Sequence, residues 1–254
     1  MQSSIAVDAQ TGLFFLFPTG KRPDARAVRD VVEANPQVSL SHDPARGDAP
    51  DDGERWLELL IDGMTFDLRG LGEGDPVAPA RYEYRFDCPS DLLESRKEAL
   101  RLEPGPHLAS GAHTLPIVRG QMALASLLAG TMPGLDAIGW GPSGCLMGVS
   151  YFRSVIDAWV GGGPFPALAL TAFRPTMDDA LQSVGLAFFT GQEVRLEPAL
   201  VSDRTAATRL GVRLVNLLVG TGRLEAPETI TGPDGGPLRL EPSGNGRFVR
   251  VFPG

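Results

Sequence analysis

A serine in a tight glycine–proline turn is the first feature of the chain that could support a reaction. The segment Gly141-Pro142-Ser143-Gly144-Cys145 follows an apolar run, and a serine on a sharp turn after a strand is the nucleophile of many hydrolases. That motif requires a glycine two residues after the serine, where this chain has Cys145. The spacing therefore favours an ordinary turn, in which the backbone amides of Gly141, Ser143 and Gly144 could still bind a ligand at a strand end.

His113 is the titratable residue best suited to act as a base, because imidazole changes its charge near neutral pH. It stands at the start of an apolar segment, residues 114–118, that we expect to form a strand. A structural histidine that hydrogen-bonds the backbone is the competing interpretation. A catalytic His113 would need a partner within about 3 Å, and the candidate partners are Ser143, Cys145 and Glu193.

The other polar motifs predict neither a metal site nor a cofactor. Asp178 and Asp179 are adjacent carboxylates, but neighbouring acids point in different directions and are usually solvated. The histidines do not have the spacing of metal ligands; they are His42, His107 and His113.

A glycine-rich segment at residues 69–76 superficially resembles a phosphate-binding loop. Such a loop needs a helix N-terminus directly after it, and Pro76 prevents one here. Glu73 and Asp75 would also repel a phosphate. The segment is therefore predicted to be a simple connection.

The composition disfavours some classes of binding partner. The formal net charge of −8 at pH 7 disfavours nucleic acids and anionic membranes, which both bind cationic surfaces. Cys88 and Cys145 are isolated, so we expect no zinc or redox motif. The first ten residues lack the basic region of a signal peptide. We expect a cytoplasmic protein, and the preference for Arg, Ala, Gly and Pro is typical of a GC-rich bacterial genome.

The first half of the chain alternates strand and helix signals. Asp62-Gly63 between two apolar segments predicts a hairpin with a two-residue turn. Pro23-Asp24 favours the start of a helix, and residues 81–87 alternate in polarity as a half-buried strand does. Ser90 can cap a helix that we expect to run to about residue 102.

The second half repeats this mixture after Glu103-Pro104-Gly105-Pro106, which we take as a domain boundary. We expect helices at residues 121–132, 150–160 and 204–219, and strands at 135–140, 166–173, 184–189, 193–196, 229–231, 238–241 and 248–252. The predicted fold is α+β, with mixed or antiparallel sheets, helices on one face, and two ferredoxin-like split βαβ halves at residues 1–104 and 105–254.

The order of motifs in the second half resembles the bacterial domain-of-unknown-function family 4261, over roughly residues 105–241. The motifs are His113-Thr114-Leu115-Pro116-Ile117-Val118, Ala137-Ile138-Gly139-Trp140 with Pro142-Ser143-Gly144, Ser150-Tyr151-Phe152, Ser183-Val184-Gly185-Leu186, Gln192-Glu193-Val194 and Glu228-Thr229-Ile230-Thr231-Gly232. The family has no established activity, so the resemblance implies a fold and assigns no site residue.

We therefore expect a non-catalytic binding or regulatory protein, in which a cleft between the halves or a sheet edge engages another protein or a small ligand. The alternative is a hydrolase or transferase with a site near His113 and the turn at residues 141–145. The chain could be a monomer, or a homodimer built on an exposed edge of the C-terminal hairpin.

Overall fold

The computed structural model describes residues 12–43, 56–72, 77–92 and 94–254 of the 254-residue chain. Predictions for the first ten residues, for most of the polar loop at residues 42–52 and for residues 73–76 lie outside the described residues. The chain divides into two compact units, Met1–Gly162 and Gly163–Gly254.

The described strands of the first unit form one mixed sheet. They are β1 (Leu13–Pro18), β2 (Ser39–His42), β3 (Leu57–Ile61), β4 (Met64–Arg69), β5 (Tyr84–Phe86), β6 (Lys97–Pro104), β7 (Ala137–Trp140) and β8 (Cys145–Gly148). Their order in the sheet is β2-β3-β4-β6-β1-β7-β8-β5. Among the described strands of this sheet, only β5 and β8 pair in parallel. The central strand β1 is antiparallel to both β6 and β7.

The first unit contains α1 (Ala25–Glu33), α2 (Leu115–Thr131) and α3 (Val149–Val160). Asp24 caps α1 by accepting a hydrogen bond of 2.8 Å from the Ala27 amide. Pro116 lies in the first turn of α2. Proline is favoured there because the N–H groups of the first turn have no partner within the helix, so the missing N–H of proline costs no hydrogen bond. Helix α3 buries Phe152, Ile156 and Trp159, as its apolar stripe predicts.

Both faces of the large sheet are covered where β1 crosses it. Helix α2 lies on the face that carries Phe66, since a Cβ atom at Gly120 would lie 3.4 Å from that ring. The opposite face is covered by the segment at residues 77–92, which contributes Ala80 and Leu92 to a buried cluster. The side chains of β1 from Leu13 to Phe17 are consequently inaccessible to solvent.

The second unit is a smaller mixed sheet with short helices and one long helix. Its strands are β9 (Ala172–Pro175), β10 (Leu181–Val184), β11 (Glu193–Leu196), β12 (Glu228–Thr231), β13 (Pro237–Pro242) and β14 (Phe248–Pro253), in the order β12-β13-β14-β11-β10-β9. Its helices are α4 (Ala167–Leu170), α5 (Ala187–Thr190) and α6 (Arg204–Thr221). Asp203 caps α6, which buries Leu210, Leu214 and Leu218.

The α+β class with mixed sheets is confirmed. The hairpin around Asp62-Gly63 is present as β3 and β4, and the long helix and the three C-terminal strands lie where they were predicted. A split βαβ unit has four strands, whereas these sheets have eight and six, so neither sheet is a single ferredoxin-like unit. The predicted boundary after residue 104 falls at the end of β6, which belongs to the same sheet as β7, and the division between the two compact units lies after residue 162.

Four local predictions were wrong. Residues 97–104 of the predicted helix at 90–102 form β6, because β1 and β4 pair with that segment from both sides. Residues 115–118 begin α2 and are not a strand. The apolar segment at 166–173 contains α4, and residues 184–189 end β10 and begin α5. Short apolar segments fit either structure, and periodicity alone does not separate them.

Candidate functional site

His113 is exposed, in the turn that precedes α2. Its imidazole makes no hydrogen bond or ion pair with the residues that the structure describes. It therefore forms no hydrogen bond with Ser143, Cys145 or Glu193, the partners that a catalytic His113 was expected to have.

The turn at residues 141–145 is built into the sheet. Its Gly144 carbonyl accepts hydrogen bonds from the amides of Glu83 at 3.0 Å and Tyr84 at 3.2 Å, and its Gly141 amide donates to Gly12 at 3.0 Å. Gly144 has a φ of 66°, a conformation that glycine adopts at low cost. The chain then continues into β8, not into a helix. These contacts give the turn a structural role in joining β7, β8 and β5.

The side chains of the same turn are poorly suited to nucleophilic attack. Ser143 is buried. Burial raises the pKa of the Cys145 thiol to about 11, although a hydrogen bond with Ser143 opposes that rise. The thiol is consequently protonated at neutral pH, whereas the thiolate is the reactive form.

Glu193 belongs to the second unit, where it organises a loop. Its carboxylate accepts hydrogen bonds from the amides of Gly185 at 2.9 Å, Ala187 at 3.1 Å and Leu186 at 3.2 Å. The Ser183 hydroxyl also donates to it. The carboxylate thus accepts hydrogen bonds from the backbone N–H groups at the start of α5, which is a structural role.

The adjacent acids Asp178 and Asp179 lie in the turn between β9 and β10. Asp178 accepts a hydrogen bond of 2.6 Å from the Thr176 hydroxyl and pairs with Arg195 at 2.5 Å. These two contacts hold the pKa of Asp178 below its ordinary value. Within the described ranges, no cluster of three or more His, Cys, Asp or Glu side chains could hold a metal ion.

A groove in the first unit brings together polar and apolar side chains that the sequence did not single out. We call it the α2–α3 groove. Its apolar end encloses about 520 Å³ and is lined by Asp62, Met64, Leu115, Arg119 and Trp159 among others. Its polar end encloses about 610 Å³ and is lined by Asn35, Gln37, Ser126, Arg153 and Asp157 among others. Asp62, Ala123 and Val160 line both ends, so the two volumes adjoin each other.

Small residues on α2 give the groove its shape. A Cβ atom at Gly120 would lie 2.5 Å from the Met64 Cε atom, so glycine is what lets Met64 lie against the helix. Gly130 similarly leaves room for the Arg153 guanidinium, which would be 2.9 Å from a Cβ atom there. Gly130 lies eleven positions after Arg119 on α2, a distance of about 16 Å along the helix axis.

The polar end is ordered by a contact between the two helices. The Ser126 hydroxyl, which is buried, donates a hydrogen bond of 2.5 Å to Asp157 Oδ1. Arg153 lies one helical turn before Asp157 and is exposed. Among the described residues, Arg153 forms no ion pair or hydrogen bond, so its guanidinium can bind an acceptor from solution.

The apolar end also contains two unpaired charges. Arg119 donates a hydrogen bond of 2.6 Å to the Val160 carbonyl, which positions its guanidinium at the margin of the groove. Asp62 lies in the hairpin turn with a φ of 49°. Neither side chain forms an ion pair within the described part of the chain, although both line the same cavity.

The sequence contained one signal for this groove. Arg153 and Asp157 are polar residues at i and i+4 on a helix whose opposite side is apolar, and Gly120, Ala123 and Gly130 mark a small-residue stretch of α2. These features are common on surface helices, so without the fold they do not distinguish a groove from a solvated face.

A buried acid on β4 gives the first unit a predicted pH dependence. Asp67 is 1% exposed, and burial raises its pKa although Arg69, at 2.8 Å, lowers it. Glu103 and Glu58 also raise it. Because its pKa is raised, Asp67 binds a proton more tightly in the folded state than in the unfolded state. Protonated Asp67 therefore stabilises the fold at pH values below 3.8, its ordinary pKa, and this stabilisation is lost as the pH rises through the raised pKa.

We expect Asp67→Asn to gain stability relative to the wild type as pH rises from 3.5 to 7, because Asn keeps an acceptor for Arg69 and cannot ionise. Urea unfolding at a series of pH values measures the difference. Asp91→Asn at an exposed position is the control. A difference that stays constant over this pH range would contradict the assignment.

Comparison of the chain with known protein families, with curated proteins and with solved structures finds no significant match. The resemblance to family 4261 accordingly stays a prediction. No helix among the described residues is both long and apolar enough to cross a bilayer.

Proposed function

We propose that this protein is a non-catalytic binding or regulatory module, and that the α2–α3 groove is where it takes a small ligand. The observation that carries the proposal is the combination, in one groove, of apolar walls with side chains that have unused hydrogen-bonding capacity, Arg119 and Arg153 above all. Small-molecule sites typically combine apolar walls with a few polar groups that orient the ligand.

The arrangement of the titratable residues supports binding over catalysis. His113 is exposed without a partner, the Cys145 pKa is raised, and the Glu193 carboxylate is occupied by backbone amides. A hydrolase or transferase that uses these groups gains no support from their positions. The proposed location is the bacterial cytoplasm, which agrees with Cys88 and Cys145 forming no disulfide. Membership of family 4261 is part of the same proposal.

Filling the groove tests the proposed function. Ala123 lines both ends and is half-buried, so Ala123→Phe places a ring in the open volume. We expect ligands found by ligand-observed NMR, from a set of amino acids, acids, amines and neutral amphiphiles, to bind this variant at least about ten-fold more weakly. Ala123→Leu fills less of the groove and should also weaken ligand binding, by a smaller factor.

The matched control is Ala158→Phe, which adds the same ring at an exposed position of α3 that does not line the groove. It should leave binding unchanged. Hits that bind Ala123→Phe and the wild type equally would show that ligands do not use the groove. The absence of any hit from all four chemical classes would count against a small-ligand function.

A further inference from the structure

The apolar end of the groove carries two opposite charges that do not neutralise each other. Arg119 and Asp62 line the same cavity, yet neither forms an ion pair within the described residues. Both side chains are exposed, and an exposed ion pair contributes only about 0–1 kcal/mol, so each charge can pair with a ligand instead. The hydrogen bond from Arg119 to the Val160 carbonyl engages one N–H of the guanidinium.

The space between these charges is bounded by apolar side chains. Met64, Leu115 and Trp159 contribute to its walls, and Trp159 is 7% exposed. Methionine adapts its shape to different apolar partners. A ligand that fills this end must therefore present an apolar group to the walls, an anionic group to Arg119 and a cationic group to Asp62.

We propose that the apolar end of the α2–α3 groove binds an apolar α-amino acid as its zwitterion, with the carboxylate on Arg119, the ammonium on Asp62 and the side chain against Met64, Leu115 and Trp159. This inference rests on the proposed function and names its ligand class. Guanidinium binds carboxylate through two parallel hydrogen bonds. Four of the five Arg119 N–H donors remain available for that contact.

The cavity volume agrees with this class of ligand. About 520 Å³ lies within the range of 300–1,000 Å³ that is usual for small-molecule sites. It exceeds the size of a single amino acid, so side chains as large as phenylalanine fit. The adjoining polar end, where Arg153 and Asp157 lie, is where a longer ligand such as a dipeptide would extend.

Isothermal titration calorimetry with four probes tests the two charge contacts. L-phenylalanine and L-leucine carry both charges, 3-phenylpropionate lacks the ammonium group, and 2-phenylethylamine lacks the carboxylate. We expect both amino acids to bind, and each singly charged probe to bind at least about ten-fold more weakly than L-phenylalanine, because each leaves one charged side chain unpaired.

Variants assign the contacts to residues. Arg119→Gln and Asp62→Asn should each weaken L-phenylalanine binding at least about ten-fold, and asparagine tolerates the positive φ at residue 62. Asp62→Asn should not weaken the binding of 3-phenylpropionate, because that probe has no ammonium group for Asp62 to bind. Arg26→Gln, at an exposed arginine of α1, is the matched control and should have no effect. Melting temperatures of all variants exclude unfolding as the cause.

Two results would overturn the inference: equal affinity for L-phenylalanine and 3-phenylpropionate, or unchanged binding of L-phenylalanine to Asp62→Asn. Failure of this inference differs from failure of the proposed function. If amino acids do not bind but other ligands bind and are lost in Ala123→Phe, the groove remains a ligand site and the zwitterion assignment is wrong.

Discussion

Glu193→Ala should lower the free energy of unfolding by about 2–4 kcal/mol. The carboxylate accepts hydrogen bonds from the amides of Gly185, Leu186 and Ala187. Alanine would leave those donors without an acceptor next to the start of α5, and an unsatisfied donor away from water costs more than a normal hydrogen bond contributes. The effect should appear in urea unfolding at neutral pH.

The hydroxyl of Ser183 makes this loss larger. Ser183 is inaccessible to solvent; it donates to Glu193 and accepts a 2.8 Å hydrogen bond from the Val194 amide. Removing Glu193 would therefore also disturb the contact between β10 and β11. Glu193→Gln keeps one acceptor oxygen and should cost roughly half as much.

Glu228→Ala is the matched control, because Glu228 is exposed on the edge strand β12. A change within about 0.5 kcal/mol is expected there. If Glu193→Ala also stays within that range, water has replaced the carboxylate and the loop does not depend on it.

Gly148→Ala should destabilise the first unit by about 3 kcal/mol. A Cβ atom at this position would lie 2.1 Å from the Asp87 carbonyl oxygen and 3.1 Å from its carbon. Both are backbone atoms, so no side-chain rotation can relieve the clash. The parallel pairing of Phe86 with Met147 lies one residue away, and we expect the end of β5 to be displaced.

Gly220→Ala is the contrasting change. Gly220 is exposed in the last turn of α6, and no atom lies within 4 Å of its added Cβ. Alanine favours a helix over glycine, so this variant should be stabilised by up to about 1 kcal/mol. Thermal unfolding of the two variants and the wild type measures both changes in stability. A stable Gly148→Ala protein would mean that β5 can separate from β8 at little cost.

The parts of the fold that the sequence predicted are those in which local signals agree. The Asp62-Gly63 turn separates two apolar strands, and the Asp203 cap precedes a regular apolar stripe in α6. In β6 the signals conflict, because Lys97, Glu98 and Ala99 favour a helix by intrinsic propensity. The pairing of that segment with β1 and β4 outweighs its propensity.

The groove could not be predicted for a different reason. Its lining comes from the loop after α1, the turn after β3 and two helices. None of these segments carries a ligand-binding motif. The relevant property is that two charges line one cavity without forming an ion pair with each other, and this property exists only in three dimensions. His113 and Ser143 attracted attention by residue type, but one is exposed and the other is buried.

The position of β1 in the sheet bears on how the protein is synthesised. Its residues pair with β6 on one side and with β7 on the other, so Leu13 cannot pair with Trp140 until residue 140 has left the ribosome. While residues 105–136 are being translated, one edge of this wholly apolar strand has no partner. An open apolar edge is a template for pairing with other chains. This edge of β1 therefore stays open to pairing with other chains until β7 has been translated.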